Sequence, residues 1–109
     1  MTSLIPLCSL DDIPEGGSRG FQHGELKLLV VKHKGKVVAY RNTCPHLGIP
    51  LEWVEHQFLD SSGTMIQCAN HGALFVIDTG KCVAGPCAGR KLEAVPFRID
   101  ANKLLLIGD

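Results

Sequence analysis

The chain has 109 residues, 45% of them apolar, and its eleven basic residues balance eleven acidic residues. This length suits one folded domain with a modest core, and the apolar fraction excludes a disordered chain. A net charge of zero provides no basic excess for holding nucleic acid or an anionic membrane, so neither is an expected partner.

No stretch of the sequence approaches the ~20 consecutive apolar residues that a membrane helix needs. The first residues also lack the positive segment and the uninterrupted apolar run of a signal peptide. We therefore expect a soluble, cytoplasmic protein. That compartment favours metal ligation over disulfide bonds for the five cysteines.

The residue pattern predicts many short strands and no long amphipathic helix. In chain order, the predicted strands cover residues 3–8, 25–33, 36–41, 64–67, 73–77, 92–100 and 103–107. Other predictions are tight turns at 34–35, 78–81 and 101–102, a brief helix capped by Asp11, and a loop over the glycine-rich residues 16–20. The fold class that follows is all-β, an antiparallel sandwich or barrel.

Two short stretches each offer one thiol and one imidazole beside a glycine. They are Cys44-Pro45-His46-Leu47-Gly48 and Cys68-Ala69-Asn70-His71-Gly72. Twenty-one residues lie between His46 and Cys68, and each stretch follows closely on a predicted strand. Sulfur and nitrogen ligands together suit zinc or iron. The sequence therefore predicts a metal centre with four protein ligands.

A structural zinc site and a chance grouping are the alternatives to an iron–sulfur cluster. Zinc fingers pair cysteine with cysteine and histidine with histidine, whereas each stretch here is mixed. Five cysteines and five histidines can fall near one another by chance, but two mixed stretches with a glycine just beyond each histidine argue against that. Two histidines replacing two cysteines on one iron is the ligand set of a Rieske [2Fe-2S] centre.

The stretch from Cys44 to Pro96 resembles the Rieske family. Cys-Pro-His-Leu-Gly looks like the first ligand loop of that family, and Cys-Ala-Asn-His-Gly looks like the second. Asp78-Thr79-Gly80 and Gly85-Pro86 resemble the turn and the proline loop that follow. The resemblance implies a Rieske-type antiparallel β sandwich, with one domain over residues 1–109 and a small cluster-binding subdomain at about 42–88.

The resemblance also implies one [2Fe-2S] cluster per chain, with Cys44 and Cys68 bound to one iron. His46 and His71 would then bind the other iron and lie near solvent. The residues expected around the cluster are Leu47, Gly48, Gly72, Ala73, Phe75 and Pro86. The glycines would let backbone N–H groups approach the sulfurs, and the leucine and proline would cover the cluster.

Four positions depart from the Rieske proteins of respiratory membrane complexes. Those proteins carry an extra cysteine in each ligand loop, joined as a disulfide, where this chain has Ile49 and Asn70. They also carry a serine and a tyrosine where this chain has Ala73 and Phe75. Hydroxyl donors at those positions raise the reduction potential, so their absence predicts a low-potential centre.

The segment between the ligand stretches looks a few residues longer than in ferredoxins of ring-hydroxylating oxygenases. The extra length falls in residues 52–63, where Trp53, Phe58 and Leu59 are either a satellite core or an exposed docking patch. That departure weakens the assignment to an oxygenase system.

Cys82 and Cys87 form a second cysteine pair, beside the proline loop. In the cytoplasm two reduced, partly buried thiols are expected. The alternative is a disulfide that holds the proline loop against the cluster, and the sequence leaves this choice open.

The expected function is one-electron transfer between a reductase and an oxygenase or other acceptor. The alternatives are a small Rieske subunit of a larger reductase, similar to that of nitrite reductase, and a cluster-bearing redox sensor. Length excludes a terminal oxygenase, and no general base, nucleophile or substrate-cavity motif is recognisable. We expect a monomeric carrier that acts with redox protein partners and is not an enzyme on its own.

Overall fold

A computed structural model describes residues 3–43, 58–60, 62–68, 72–85 and 89–108. This part of the chain contains nine strands and one short 3-10 helix, Leu10–Asp12. The strands are β1 Ser3–Ser9, β2 Gly17–His23, β3 Leu26–His33, β4 Lys36–Arg41, β5 Met65–Gln67, β6 Leu74–Val76, β7 Cys82–Ala84, β8 Phe97–Asp100 and β9 Lys103–Gly108. No helix within the described residues has the length and apolar character needed to cross a membrane.

The strands form three antiparallel sheets of three strands each. Their strand orders are β1-β9-β8, β2-β3-β4 and β5-β6-β7. We refer to them as the first, second and third sheets. The all-β, antiparallel fold class predicted from the sequence is confirmed.

Strand β3 is the central strand of the second sheet and is buried on both of its faces. Leu29 and Val31 belong to one hydrophobic core, and Leu28 and Val30 belong to the other. All four side chains are fully buried, and each such burial stabilises the fold by about 1.5–3 kcal/mol. This position explains the almost continuous apolar run in the sequence, since a strand covered on both sides has no solvent face.

The two cores join the second sheet to its neighbours. The core shared with the third sheet contains Leu29, Val31, Tyr40, Phe58, Ile66, Cys68, Ala73, Phe75, Ile77, Cys82 and Leu92. The core shared with the first sheet contains Ile13, Leu28, Val30, Ala39, Val95, Leu104 and Leu106. Phe58 is fully buried and Leu59 packs against the first of these cores, so neither residue forms a docking patch. Trp53 lies outside the described residues.

Two of the predicted turns have the backbone that tight hairpins require. Lys34 and Gly35, between β3 and β4, have φ of 51° and 75°, and Ala101 and Asn102, between β8 and β9, have φ of 50° and 65°. Positive φ at both central residues is the signature of a type I′ turn, whose twist matches that of the paired strands.

The loop predicted over residues 16–20 is wrong, because most of it belongs to strand β2. Gly17 pairs with Lys32, and Gly20 pairs with Leu29, in an unbroken antiparallel register. A Cβ on Gly17 would lie 2.5 Å from the Pro14 side chain, so this glycine permits a close packing contact. Pairing with a strongly hydrophobic neighbour therefore overrides the local turn preference of the glycines.

The predicted helix cap at Asp11 is also wrong. Ser9, rather than Asp11, caps Leu10–Asp12: its hydroxyl accepts a hydrogen bond from the Asp11 N–H at 3.3 Å. The Asp12 carboxylate accepts in return from the Ser9 N–H at 3.1 Å, which completes a capping box.

The last long predicted strand, over residues 92–100, is shorter than expected. Strand β8 begins only at Phe97, and the residues before it cross between the two cores, with Leu92 in one and Val95 in the other. The crossing segment is held to β4, since the Arg41 N–H donates to the Glu93 carbonyl at 2.8 Å.

Candidate metal centre

Cys68 lies immediately after β5, at the start of the second predicted ligand loop, and its side chain is fully buried. Its N–H donates to the Ala73 carbonyl at 2.8 Å, and the Gly72 N–H donates to the Cys68 carbonyl at 2.9 Å. Gly72 has a φ of 67°, which a glycine adopts at little cost. These two bonds close a tight loop that begins with a thiol, as a metal-ligand loop requires.

The first predicted ligand stretch follows the end of β4. Asn42 is buried and its N–H donates to the Lys27 carbonyl at 2.9 Å, so the chain is fixed two residues before Cys44. Of the predicted site residues, Cys44, His46, Leu47, Gly48, His71 and Pro86 lie outside the described residues. Those that the structure does describe are Cys68, Gly72, Ala73 and Phe75.

Ala73 and Phe75 are almost completely buried, with exposed fractions of 1% and 0%. Phe75 pairs with Ile66 across β5 and β6, and both side chains belong to the core shared with the second sheet. Neither residue carries a hydroxyl, so neither of these two side chains donates a hydrogen bond. Ala73 and Phe75 lie in the same hydrophobic core as Cys68, and they give it an apolar environment.

We predict that Phe75→Tyr combined with Ala73→Ser raises the reduction potential. Added hydroxyl donors near the sulfurs stabilise the reduced, more negative cluster, within a family range of about −150 to +300 mV. Protein-film voltammetry of the loaded protein measures the shift. Phe58→Tyr is the matched control, since Phe58 is equally buried but lies outside the ligand loops. A double variant with an unchanged or lower potential would contradict the prediction.

Gly85 brings the segment after β7 against the second ligand loop. Its φ is 95°, and a Cβ there would lie 2.7 Å from the Ala73 Cα and 3.0 Å from the Ala73 Cβ. A side chain therefore has no room at this position. The sequence marked Gly85 only as part of a loop, and its close approach to Ala73 has no local sequence signal.

Tyr40 and Gly80 form a contact between the second and third sheets. The Tyr40 hydroxyl donates to the Ile77 carbonyl at 2.7 Å, and a Cβ on Gly80 would lie 2.8 Å from the Tyr40 ring. Burial, and secondarily the Asp78 carboxylate, raises the pKa of Tyr40. Sequence analysis missed this contact, because a tyrosine at the end of a strand gives no indication of its distant partner.

We predict that Tyr40→Phe lowers the free energy of unfolding by about 1–3 kcal/mol, since the Ile77 carbonyl loses its buried donor. Because the folded-state pKa of Tyr40 is raised, its contribution to stability is fully present below the unfolded pKa of about 10 and is lost as pH rises beyond it. That alkaline loss should be smaller in the variant. The chain has one tyrosine, so tyrosinate absorbance reports this group alone. Equal alkaline loss in both proteins would contradict the assignment.

Cys82, the described member of the second cysteine pair, is buried in the same core as Cys68. Its Sγ lies 3.2 Å from the Ala84 carbonyl oxygen. Cys87 lies outside the described residues, and a bond between the two cysteines stays a prediction.

The fold and the Cys68 loop agree with comparisons to known proteins. A family model described as the Rieske [2Fe-2S] domain matches residues 3–98. The chain belongs to the Rieske [2Fe-2S] family. A buried thiol on a closed loop, with the donor set of two cysteines and two histidines in the sequence, fits the cofactor of that family. The cofactor of this Rieske chain is one [2Fe-2S] cluster.

Two relatives illustrate the range of similar proteins. The cytochrome b6-f complex iron-sulfur subunit of Chlorobaculum tepidum is 36% identical over 95 residues, which cover 87% of this Rieske chain and 48% of that protein. The ferredoxin component of the alkene monooxygenase system of Xanthobacter autotrophicus is 31% identical over 104 residues, 94% of this chain and 79% of that protein. The chain therefore spans about half the length of the first relative and most of the second.

A solved structure shows the same fold over the whole chain. The ferredoxin of Sphingomonas yanoikuyae B1 superposes with a TM-score of 0.76 at 25% identity, covering 98% of this chain and 100% of that one. The antiparallel Rieske architecture predicted from the motifs is thereby confirmed.

Proposed function

We propose that this Rieske chain is an electron-transfer protein that carries one electron between a reductase and an oxygenase or other acceptor. The observation that carries the proposal is the fully buried Cys68 on a loop closed by two backbone hydrogen bonds, in a chain of the Rieske family. When bound, the [2Fe-2S] cluster supplies a reversible one-electron step.

Four residues are proposed to hold the cluster. Cys44 and Cys68 would bind one iron, and His46 and His71 the other. The contribution of the protein is to fix these ligands on two loops that leave the ends of β4 and β5. The buried Ala73 and Phe75 add no hydroxyl donor beside the second loop, which favours a low potential.

The proposed partners follow from relatives that this chain covers over most of their own length, 79% and 86% in the two cases below. The Xanthobacter relative is the ferredoxin component of a monooxygenase system, and a Pseudomonas relative, 30% identical over 91% of this chain, is the ferredoxin subunit of biphenyl dioxygenase. A donor reductase and an acceptor oxygenase are therefore favoured over the small subunit of a nitrite-reductase-like enzyme or a redox sensor. Docking of such carriers is weak and transient.

We further propose that residues 1–109 act as one domain, as a monomer in the cytoplasm, with the cluster-binding subdomain at about 42–88. The third sheet lies inside that subdomain range, and the other two sheets lie outside it. One shared core joins the subdomain to the second sheet, which supports a single cooperative unit.

Single-turnover kinetics test the proposed function. The loaded protein is reduced and mixed with a Rieske oxygenase such as that of the biphenyl dioxygenase system, and reoxidation is followed by visible absorbance. Reoxidation that is fast and needs the oxygenase is the expected result. Two results together would favour the fixed-subunit alternative. The protein would exchange electrons with no Rieske reductase or oxygenase, and it would co-purify stably with a large enzyme subunit.

A further inference from the structure

A cleft opens between the first and second sheets, at the end of β4 that leads to the first ligand stretch. Its volume is about 320 Å³, at the lower end of the range of about 300–1,000 Å³ for small-molecule sites. Three parts of the chain line it: the turn that joins β2 to β3, the end of β4 with residues 93–96, and the paired strands β1 and β9. None of its described lining residues belongs to the third sheet or to the predicted cluster site.

The inner part of the cleft is apolar. Val95 and Leu106 are buried members of the core between the first and second sheets. Ile5 and Leu26 are partly buried and pack against the same core. Ile107 continues the apolar lining to the surface, where 37% of its side chain is exposed. An apolar group that enters the cleft therefore meets side chains already held in place by the core, and its burial there is favourable.

The polar side chains described in the cleft are an arginine, a glutamate and a histidine. The Arg41 Nε is 3.3 Å from the Glu93 Oε2, and both side chains are more than half exposed. This ion pair uses one of the five guanidinium N–H groups, and the terminal nitrogens of Arg41 have no ion-pair partner among the described residues. His23, at the end of β2, adds an imidazole. The cleft therefore presents guanidinium donors next to an apolar surface.

We propose that this cleft binds a small monocarboxylate with an apolar body, the carboxylate on Arg41 and the body against Val95 and Leu106. A planar carboxylate accepts two parallel N–H bonds from an arginine, a geometry that a neutral amide does not match. Electron transfer requires no such ligand. The inference therefore goes beyond the proposed function and does not depend on it.

The geometry of the ion pair favours an anionic ligand over a cationic one. Glu93 occupies only the Nε side of the guanidinium, so a carboxylate can take two bonds from the terminal nitrogens. Its repulsion from Glu93 is small, because both side chains are exposed to water and salt. An ammonium group would find one remaining glutamate oxygen and would be repelled by the permanent charge of Arg41.

Binding of 3-phenylpropionate to the cluster-loaded full chain tests the inference, measured by ligand-observed NMR titration. Three comparison probes separate its parts: 3-phenylpropanamide lacks the charge, 3-phenylpropylamine has the opposite charge, and propionate lacks the ring. The test variants are Arg41→Gln and Glu93→Gln. Arg98→Gln is the matched control, because Arg98 is an exposed arginine in β8 that does not line the cleft.

The expected dissociation constant of 3-phenylpropionate is about 1 mM or below, with the other three probes at least about tenfold weaker. Arg41→Gln should weaken binding of the acid about tenfold, whereas Glu93→Gln should strengthen it about threefold by releasing the guanidinium. Binding of the neutral amide should change less than about twofold in both variants, and Arg98→Gln should leave all four affinities within about twofold of the wild type.

An ion pair with only a structural role gives a different pattern, because loss of either partner then distorts the cleft and weakens all probes alike. That pattern would overturn the inference. Equal affinity for the acid and its amide, tighter binding of the amine, or no binding of the acid at about 10 mM would also overturn it. A protein that binds the acid but exchanges no electrons would contradict the proposed function and leave this inference standing.

Discussion

Replacing Cys68 with alanine is expected to give a protein without bound iron or inorganic sulfide. The wild-type thiol is fully buried. The Cys68 N–H donates to the Ala73 carbonyl and the Gly72 N–H donates to the Cys68 carbonyl, and the substitution leaves both of these backbone bonds in place. Each cysteine thiolate is one of only two on its iron in a Rieske centre, so loss of one leaves that iron incompletely bound. Iron and acid-labile sulfide per chain are the measurements.

Cys8→Ala is the matched control for that experiment. Cys8 is half-buried in β1 and packs against the core that does not include Cys68. The control should retain the full iron and sulfide content. Amide exchange in β1 and β9 distinguishes loss of metal from unfolding, because the pairing of these strands lies in the first sheet. A Cys68→Ala protein that keeps its full iron content would refute the proposed ligand.

Gly85→Ala should lower the free energy of unfolding of the loaded protein by about 2–4 kcal/mol. The new Cβ would lie 2.7 Å from the Ala73 Cα, a backbone atom that cannot rotate away. The segment after β7 must then move from the second ligand loop, which should also speed release of iron. Denaturant unfolding followed in the visible band measures both effects.

Gly89→Ala separates the steric effect from backbone strain. Gly89 has a φ of 92°, close to that of Gly85, but a Cβ there meets nothing within 4 Å. Its substitution should cost only the conformational strain of a left-handed residue, about 1–2 kcal/mol, with no change in iron release. Equal losses in the two variants would show that the contact between Gly85 and Ala73 has no role.

The features that the sequence predicted correctly depend on local patterns. The apolar run of β3, the Lys34-Gly35 turn and β4 form a hairpin because strand preference and turn preference agree along that stretch. The Ala101-Asn102 turn was found in the same way. The Rieske family was recognisable because cysteine and histidine at fixed spacing form a chemical signature that requires no knowledge of the fold.

The errors arose where distant contacts outweigh local preference. Gly17 and Gly20 look like loop residues, yet pairing with β3 places them in a strand. Strand β7, which the sequence did not predict, has three residues, too few for a periodic pattern, and exists because Phe75 and Leu74 pair with it. The hydrogen bond from Tyr40 to Ile77 joins residues 37 positions apart, and no local pattern encodes it.

Pulsed EPR of the anaerobically purified, reduced protein, combined with metal analysis, tests the central claim most directly. The account predicts two iron and two sulfide ions per chain, with couplings to two histidine nitrogens. Colourless protein that contains zinc instead of iron would contradict it, and so would an iron–sulfur cluster without nitrogen coupling.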